Sequence, residues 1–329
     1  MSSWETVEDR FGSWDGTELF YRAWRPQSAS NKALVFLHRG HEHSGRIGQQ
    51  VEDFGLEDFW AFAWDIRGHG HSPGPRGYTD DYYDHVRDLD AFVRFITEKY
   101  GVPVENIVLV ANSIGAVTAS AWAHDFAPRI RAMVLAAPGF RIRLYVPFAI
   151  PGLRLLDKIR DKSFISSYVK SKMLTHDPEQ MRSYDEDELI TRDIAVNVLL
   201  GLHDISTRLL ADAGAITTPT LVLSAGSDWV VRNSAQLAFF RNLSSPHKEM
   251  EVYPGFFHAI LYEKERERPI AKAREFIETA FTREIDRTAL LAADRTGPTR
   301  DKYLELTLPA APLRAAFFGL QKLGMKTLG

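Results

Sequence analysis

The chain has 329 residues, 45% hydrophobic and 25% charged, enough to bury a doubly wound core and carry an inserted subdomain besides. Its 40 basic and 43 acidic side chains leave a net charge of −3, which offers no footprint for a nucleic-acid partner. Cysteine is absent, so disulfides, thiolate metal sites and cysteine nucleophiles are excluded together.

The first residues, MSSWETVEDRFGSWDG, lack both the basic and the apolar region of a leader, and no apolar run approaches the roughly twenty residues of a membrane span. A soluble cytoplasmic protein is the expectation. Residues 11–25 place an Asp-Gly turn between alternating apolar residues and read as a β-hairpin. KALVFLH reads as a buried strand ending at His38, followed by a polar loop and a helix from about Gln49 to Glu57. FWAFAWD is the next strand, ending at Asp65, and IRGHGHSPGPRGY after it is dense in turn residues. A helix from about Asp80 to Tyr100, a strand at 107–112, a helix and a strand at 133–140 follow. This alternation predicts an α/β protein with a mostly parallel central sheet, helices on both faces, and ligands at the carboxyl edge of the strands.

The most informative stretch is IVLVANSIGAVTASA, residues 107–121, in which a β-branched run enters a turn of small residues around Ser113 and leaves as an Ala-rich helix. A sharp strand-to-helix turn that exposes a serine needs small neighbours, and Ala111 and Gly115 supply them. Taken alone, Ser113 reads also as an ordinary helix N-cap. Its downstream partners favour the chemical reading, because a serine hydroxyl needs a histidine to accept its proton and a carboxylate to hold that imidazole. Asp228 follows the buried run TLVLSAG, and His258 follows MEVYP and a Gly-containing turn, in the chain order Ser, acid, His. The histidines at 38, 41, 43, 69 and 71 crowd two loops without the helical or carboxylate pattern of a metal site, so neither metal nor cofactor is expected.

FLHRGHEHSGR (36–46), WDIRGHGHSPGPRGY (64–78), ANSIGA (111–116), SAGSDWVV (224–231) and PGFFHAILYE (254–263) together resemble an α/β-hydrolase of the monoacylglycerol lipase and lysophospholipase group, also filed as serine aminopeptidase S33-like. The resemblance spans most of residues 11–282. It implies Ser113 as nucleophile, Asp228 as orienting acid and His258 as base, with the backbone N–H groups of Ile114 and Gly40 forming an oxyanion hole. Relatives usually have His-Gly where this chain has His38-Arg39. Arg39 is therefore either an ion-pairing residue of its loop or a contact for an anionic substrate group, and His38 is a further candidate for substrate contact. His38, Glu42, His43 and His69 are explained by the resemblance as loop-packing residues. The activity implied is hydrolysis of a lipid-derived ester, a monoacylglycerol or lysophospholipid, through an acyl-enzyme. The alternatives are an S33-type aminopeptidase and a non-catalytic ligand-binding protein of the same fold.

About eighty residues separate the strand at 133–140 from the one at Thr220, more than one crossover helix needs. Residues 140–215 are expected to form a cap between the two parts of a hydrolase core, 1–139 and 216–283. The first part of this cap carries Arg141, Arg143, Arg154, Lys158, Arg160, Lys162, Lys170 and Lys172 against Asp157 and Asp161. That composition suits either a lid resting on anionic lipid or a solvated cationic face. The second part is expected to line an acyl pocket with Val196, Leu199, Leu200 and Leu202. Residues 284–329 read as an extension: a Pro/Gly-rich linker, then a run with Leu313, Phe317, Phe318, Leu320, Leu323 and Met325 and the cations Arg314, Lys322 and Lys326. Such a run suits a helix lying on the inner face of a membrane, one docked on the body, or a lead into a partner domain. Some bacterial proteins that the chain resembles continue into a methyltransferase domain, which makes a fused or separate partner after residue 329 an expectation.

Overall fold

The computed structural model describes residues 4–160 and 162–284; the tail from 285 to 329, with its linker and the run from Leu313 to Met325, lies outside the described residues, as does Asp161. An antiparallel hairpin joins β1 (Glu5–Gly12) to β2 (Glu18–Arg25), in register from Gly12 opposite Glu18 to Glu5 opposite Arg25. Asp15 sets its turn by accepting the Thr17 N–H at 3.0 Å, and Gly16 takes the left-handed conformation at φ +82°. The hairpin starts at Glu5 rather than at 11, because β1 is an edge strand exposed along most of its length and carries no apolar alternation.

The buried β3 (Ala33–Leu37) leads through the His38 loop into α1 (Ile47–Phe54), which ends at Gly55 with φ +56° and so stops short of Glu57. After β4 (Trp60–Trp64) comes α2 (Asp84–Tyr100), whose start is later than the expected Asp80. The Asp81 side chain accepts the Tyr83 N–H at 2.9 Å and that of Asp84 accepts the Asp81 N–H at 3.2 Å, a local alternative to helix. Next, β5 (Ile107–Asn112) turns into α3 (Ile114–Phe126), and β6 (Ala132–Ala136) ends before the expected 140 at Ala137, φ +44°, and Pro138. The chain leaves the sheet at 140 and builds α4 (Ala149–Ile159), β7 (Phe164–Ser166), α5 (Pro178–Glu186), β8 (Asp193–Ala195) and α6 (Val196–Asp212), with β7 and β8 paired antiparallel. It returns as β9 (Thr220–Ala225), α7 (Asn233–Asn242), β10 (Lys248–Tyr253) and α8 (Glu267–Thr282).

The strands order β1-β2-β4-β3-β5-β6-β9-β10, antiparallel at β1 and β2 and parallel from β4 to β10. The central strands are buried on both faces, and successive residues feed two cores. Leu109 and Ala111 join Phe92, Val117 and Trp122 of the α2 and α3 side, while Val108 and Val110 join Val51, Phe54, Phe276 and Ile277 of the α1 and α8 side. Each such aliphatic residue contributes about 1.5–3 kcal/mol on burial, which is why the sheet is a rigid platform for the loops at its carboxyl edge. This is the doubly layered α/β-hydrolase architecture that the sequence resemblance implies. Among the described residues, no helix is long and apolar enough to cross a membrane.

Candidate active site

Ser113 sits between β5 and α3 at φ 52°, ψ −113°, a conformation a non-glycine residue adopts only when its surroundings impose it. Its N–H donates to the Ala136 carbonyl at 2.9 Å and its own carbonyl accepts the Gly139 N–H at 3.0 Å, so β6 clamps the turn from the side. A Cβ at Gly115 would lie 2.8 Å from the His38 carbonyl oxygen and from the Leu37 Cβ, so that position admits only glycine without displacing β3. The smaller demand at Ala111, fully buried in β5, is met without glycine.

The structure brings the three residues singled out in the sequence into one chain of hydrogen bonds. His258 Nε2 lies 2.8 Å from Ser113 Oγ, and His258 Nδ1 lies 2.8 Å from Asp228 Oδ2. Asp228 Oδ1 accepts the N–H groups of Val230 at 2.7 Å and Val231 at 2.9 Å, which leaves Oδ2 for the imidazole. Burial pushes the Asp228 carboxyl up, but the adjacent imidazole, its hydrogen bond and the two backbone donors outweigh burial and hold it below the usual range. A carboxylate facing Nδ1 assigns the ring proton to that nitrogen and leaves Nε2 to accept the serine proton. All three residues are buried, with exposures of 6% or less.

Gly40 packs against the Ile114 side chain, where a Cβ on Gly40 would approach the Ile114 Cδ1 to 3.2 Å, and both residues line the same cleft as Ser113. Neither backbone N–H has an acceptor among the described residues. Arg39 meets Glu42 through two bonds, Nε to Oε2 at 3.0 Å and Nη2 to Oε1 at 2.5 Å, and Arg46 Nε adds a third at 3.0 Å. Burial raises the Glu42 carboxyl, but the two guanidinium groups prevail and bring it to about 2. Arg39 also lies over the Tyr262 ring at 5.0 Å and borders the cleft, so it is an ion-pairing loop residue with one edge toward the cavity.

The expected contact at His38 is corrected. His38 Nδ1 donates to the Arg39 carbonyl at 2.7 Å and Nε2 accepts the Ile66 N–H at 3.2 Å, so both ring nitrogens are spent on the loop and the side chain does not border the cleft. Val196 and Leu200 are buried away from the cavity as well, whereas Leu199 borders it together with Val198 and Leu202. Residues 196 and 200 share one stripe of α6, and 198 and 202 share another, turned about 200° from the first. The cleft encloses about 1050 Å³ including its mouth, and Ile142, Leu144, Ile165, Tyr168 and Val230 complete an apolar wall that no periodicity in the sequence announced. Of the eight insertion cations, Arg141 and Arg143 turn inward onto the carbonyls of His203 and Val231, and Arg154 pairs with Asp204 at 2.5 Å. Among the described residues, no group of three His, Cys, Asp or Glu side chains is gathered to hold a metal ion.

Comparison with known proteins places these observations in a family. A model described as Serine aminopeptidase, S33 matches residues 28–265. The chain is 43% identical over 326 residues to the uncharacterized protein YnbC of Escherichia coli, an alignment covering 98% of this chain and 56% of that protein, so the chain spans little more than half the length of this relative. It is 24% identical over 268 residues to the monoacylglycerol lipase of Mycolicibacterium smegmatis, covering 81% of this chain and 95% of that one. In fold it superposes on the crystal structure of Paleococcus ferrophilus monoacylglycerol lipase with a TM-score of 0.72 at 24% identity, over 80% of this chain and 99% of the other.

Proposed function

The chain belongs to the serine aminopeptidase S33 family of α/β-hydrolases, and from that premise we propose that it is a serine carboxylic-ester hydrolase acting on a lipid-derived ester such as a monoacylglycerol or lysophospholipid. The observation that carries this reading is the unbroken run of hydrogen bonds from Ser113 Oγ through His258 to Asp228 at the foot of an apolar cleft. In the proposed mechanism Ser113 Oγ attacks the ester carbonyl while His258 Nε2 takes its proton and later returns it to the departing alcohol. Asp228 keeps the imidazole in the required tautomer and stabilises the imidazolium. The Gly40 and Ile114 N–H groups receive the developing oxyanion, a contribution worth on the order of 10²–10³ in rate per donor. Water attacks the acyl-enzyme by the reverse sequence, and no cofactor is called for.

An aminopeptidase would need a free carboxylate in the cleft to hold the substrate's α-amino group. Among the described lining residues, the single carboxylate side chain, that of Asp193, already accepts the Ser166 hydroxyl at 2.8 Å. Residues 140–215 act in this reading as a cap whose outer face meets an anionic membrane surface, placing the enzyme in the cytoplasm at the inner leaflet. The support is chemical: exposed Phe148, Leu155 and Ile159 stand among the exposed Lys158, Arg160 and Lys162. The test is release of free fatty acid from monoacylglycerol, lysophosphatidylglycerol and lysophosphatidylcholine. The wild-type protein is expected to turn over at least one of them, and Ser113→Ala to lose at least about 10³-fold. A folded wild-type protein inert on all three would overturn the proposal.

A further inference from the structure

The cleft has a polar wall that the ester-hydrolase reading leaves without a task. His41 from the loop after β3, His69 from the turn after β4 and His85 from the first turn of α2 all border the cavity that holds Ser113 and His258. His69 Nδ1 is 2.9 Å from the Arg67 carbonyl, which can only accept, so the ring proton is on Nδ1 and Nε2 presents a lone pair. That Nε2 has no partner among the described residues. His85 is 3% exposed and its Nδ1 is a buried nitrogen with no hydrogen-bond partner. Its ring stands edge-on to Tyr82 at 5.3 Å, and Tyr82 Oη donates to the Ile114 carbonyl at 3.1 Å, so the imidazole is fixed to the frame of the serine turn. His41 is held at φ +72°, a left-handed conformation costly for a side chain of this kind, with its carbonyl accepting the Thr191 N–H from the insertion at 2.9 Å.

The charge of this wall narrows what it can bind. Burial lowers His41 to about 4, His85 to about 3 and His69 well below its ordinary value, so all three are neutral near pH 7. Arg67 borders the same space, but Asp88 and Asp15 take its Nε, Nη1 and Nη2 in bonds of 2.7–2.9 Å. Arg39, which also borders the cleft, spends Nε and Nη2 on Glu42 and keeps Nη1 alone without a partner, so a phosphate or carboxylate at this wall would find both nearby guanidinium groups already paired with carboxylates. An unsubstituted alkyl segment would leave the imidazole nitrogens of the wall unpaired. A hydroxyl group donates and accepts at once, so it can give its proton to the His69 lone pair and still accept from a second neutral imidazole of the same cavity.

We propose that His41, His69 and His85 form a hydroxyl-binding subsite, and that the preferred ester carries a free hydroxyl in the part of the molecule that reaches them. The inference rests on the ester-hydrolase reading and names its substrate class. The hydroxyl can belong to the acyl chain or to a polyol leaving group, and two matched substrate pairs separate these sources. One pair is a methyl ester of a hydroxylated fatty acid against that of the unsubstituted acid; the other is a monoacylglycerol against the propyl ester of the same acid. In one pair the wild-type kcat/KM is expected to favour the hydroxylated member about tenfold, near the upper end of what one net hydrogen bond supplies. His85→Phe, which keeps the ring contact with Tyr82, should bring that ratio to within about twofold, and His85→Asn should keep most of it. Calorimetric binding of hydroxylated and plain fatty acid, and of 1-alkylglycerol and its deoxy counterpart, to the Ser113→Ala protein gives the same comparison without turnover. Equal use of both members of both pairs, or a ratio unchanged in His85→Phe, overturns the subsite while leaving the hydrolase intact. Discrimination in binding with no ester cleaved supports the subsite and overturns the hydrolase reading instead.

Discussion

Asp228 shows how much of a site's chemistry is decided by which oxygen of one carboxylate is occupied. Two backbone N–H groups hold Oδ1, so the side chain cannot swing away from His258, and the imidazole is offered a pure acceptor at Nδ1. Asp228→Asn keeps this shape but tends to turn the amide N–H toward the ring, since the backbone donors still require the oxygen on their side. The imidazole would then place its proton on Nε2, facing Ser113, where it cannot act as a base. On the proposed mechanism kcat for ester hydrolysis should drop by about 10⁴ with KM little altered. Steady-state kinetics on a soluble ester, with circular dichroism to show an unchanged fold, measures this. A loss below tenfold would mean that the ring's orientation does not depend on Asp228. The three residues could be paired from the sequence because each follows a strand in the required chain order. The neutral histidine wall could not, because His41, His69 and His85 come from three separate segments that only the sheet brings to one cavity.

At the scale of elements, the junction of α3 with α6 carries a titratable tie. His124, near the end of α3, has Nδ1 2.6 Å from Asp125 and Nε2 2.9 Å from Asp212 at the end of α6, while Arg208 of α6 pairs with Asp125. Burial works to lower the imidazole, but the hydrogen bonds it donates to two carboxylates prevail and raise it above its ordinary 6.5. A group raised on folding adds stability that is complete below its unfolded value and is lost as pH climbs through the folded one. The urea midpoint of the wild type should therefore exceed that of His124→Gln most clearly near pH 5.5, and the gap should narrow steadily toward pH 9. A gap constant over that range would show that the charged imidazole does not tie the helices. Legibility followed the same physics. The central strands β3, β4, β5, β6 and β9 are enclosed on both faces and read as unbroken apolar runs, whereas β1, exposed on an edge, read only from its last residues. In α6 the stripes through Val196 and Val198 are both buried, against different neighbours, so apolar spacing alone could not say which one faces the cleft.

For the whole molecule, the surface of the insertion is the least typical of a protein that meets only water. Tyr145, Val146, Phe148, Leu155 and Ile159 are each at least 59% exposed, and α4 has no buried residue. If this face meets anionic lipid, the wild type should sediment with vesicles containing phosphatidylglycerol and dissociate as salt rises, since the exposed lysines act within a screening length of about 10 Å at 0.1 M. Leu155→Glu combined with Ile159→Glu should reduce the bound fraction by about tenfold or more while leaving hydrolysis of a short, water-soluble ester near the wild-type rate. Vesicle binding unaffected by the double change would assign the contact elsewhere. A separate consequence follows from where the chain departs from its sheet. Ser113, Asp228 and His258 stand on turns anchored by β5, β9 and β10, while Leu144, Ile165, Tyr168 and Leu199 come from a single detour between β6 and β9. On the proposed mechanism, bond-breaking and the fit of the apolar part of a substrate are thus written in different stretches of one gene, with the histidine wall on the same side of the division as Ser113. Heritable variation confined to codons 140–215 can then try new apolar groups without re-inventing the reaction, and a recombinant carrying a relative's detour on this sheet should inherit that relative's taste in apolar groups at this chain's pace, while keeping this chain's response to a hydroxyl.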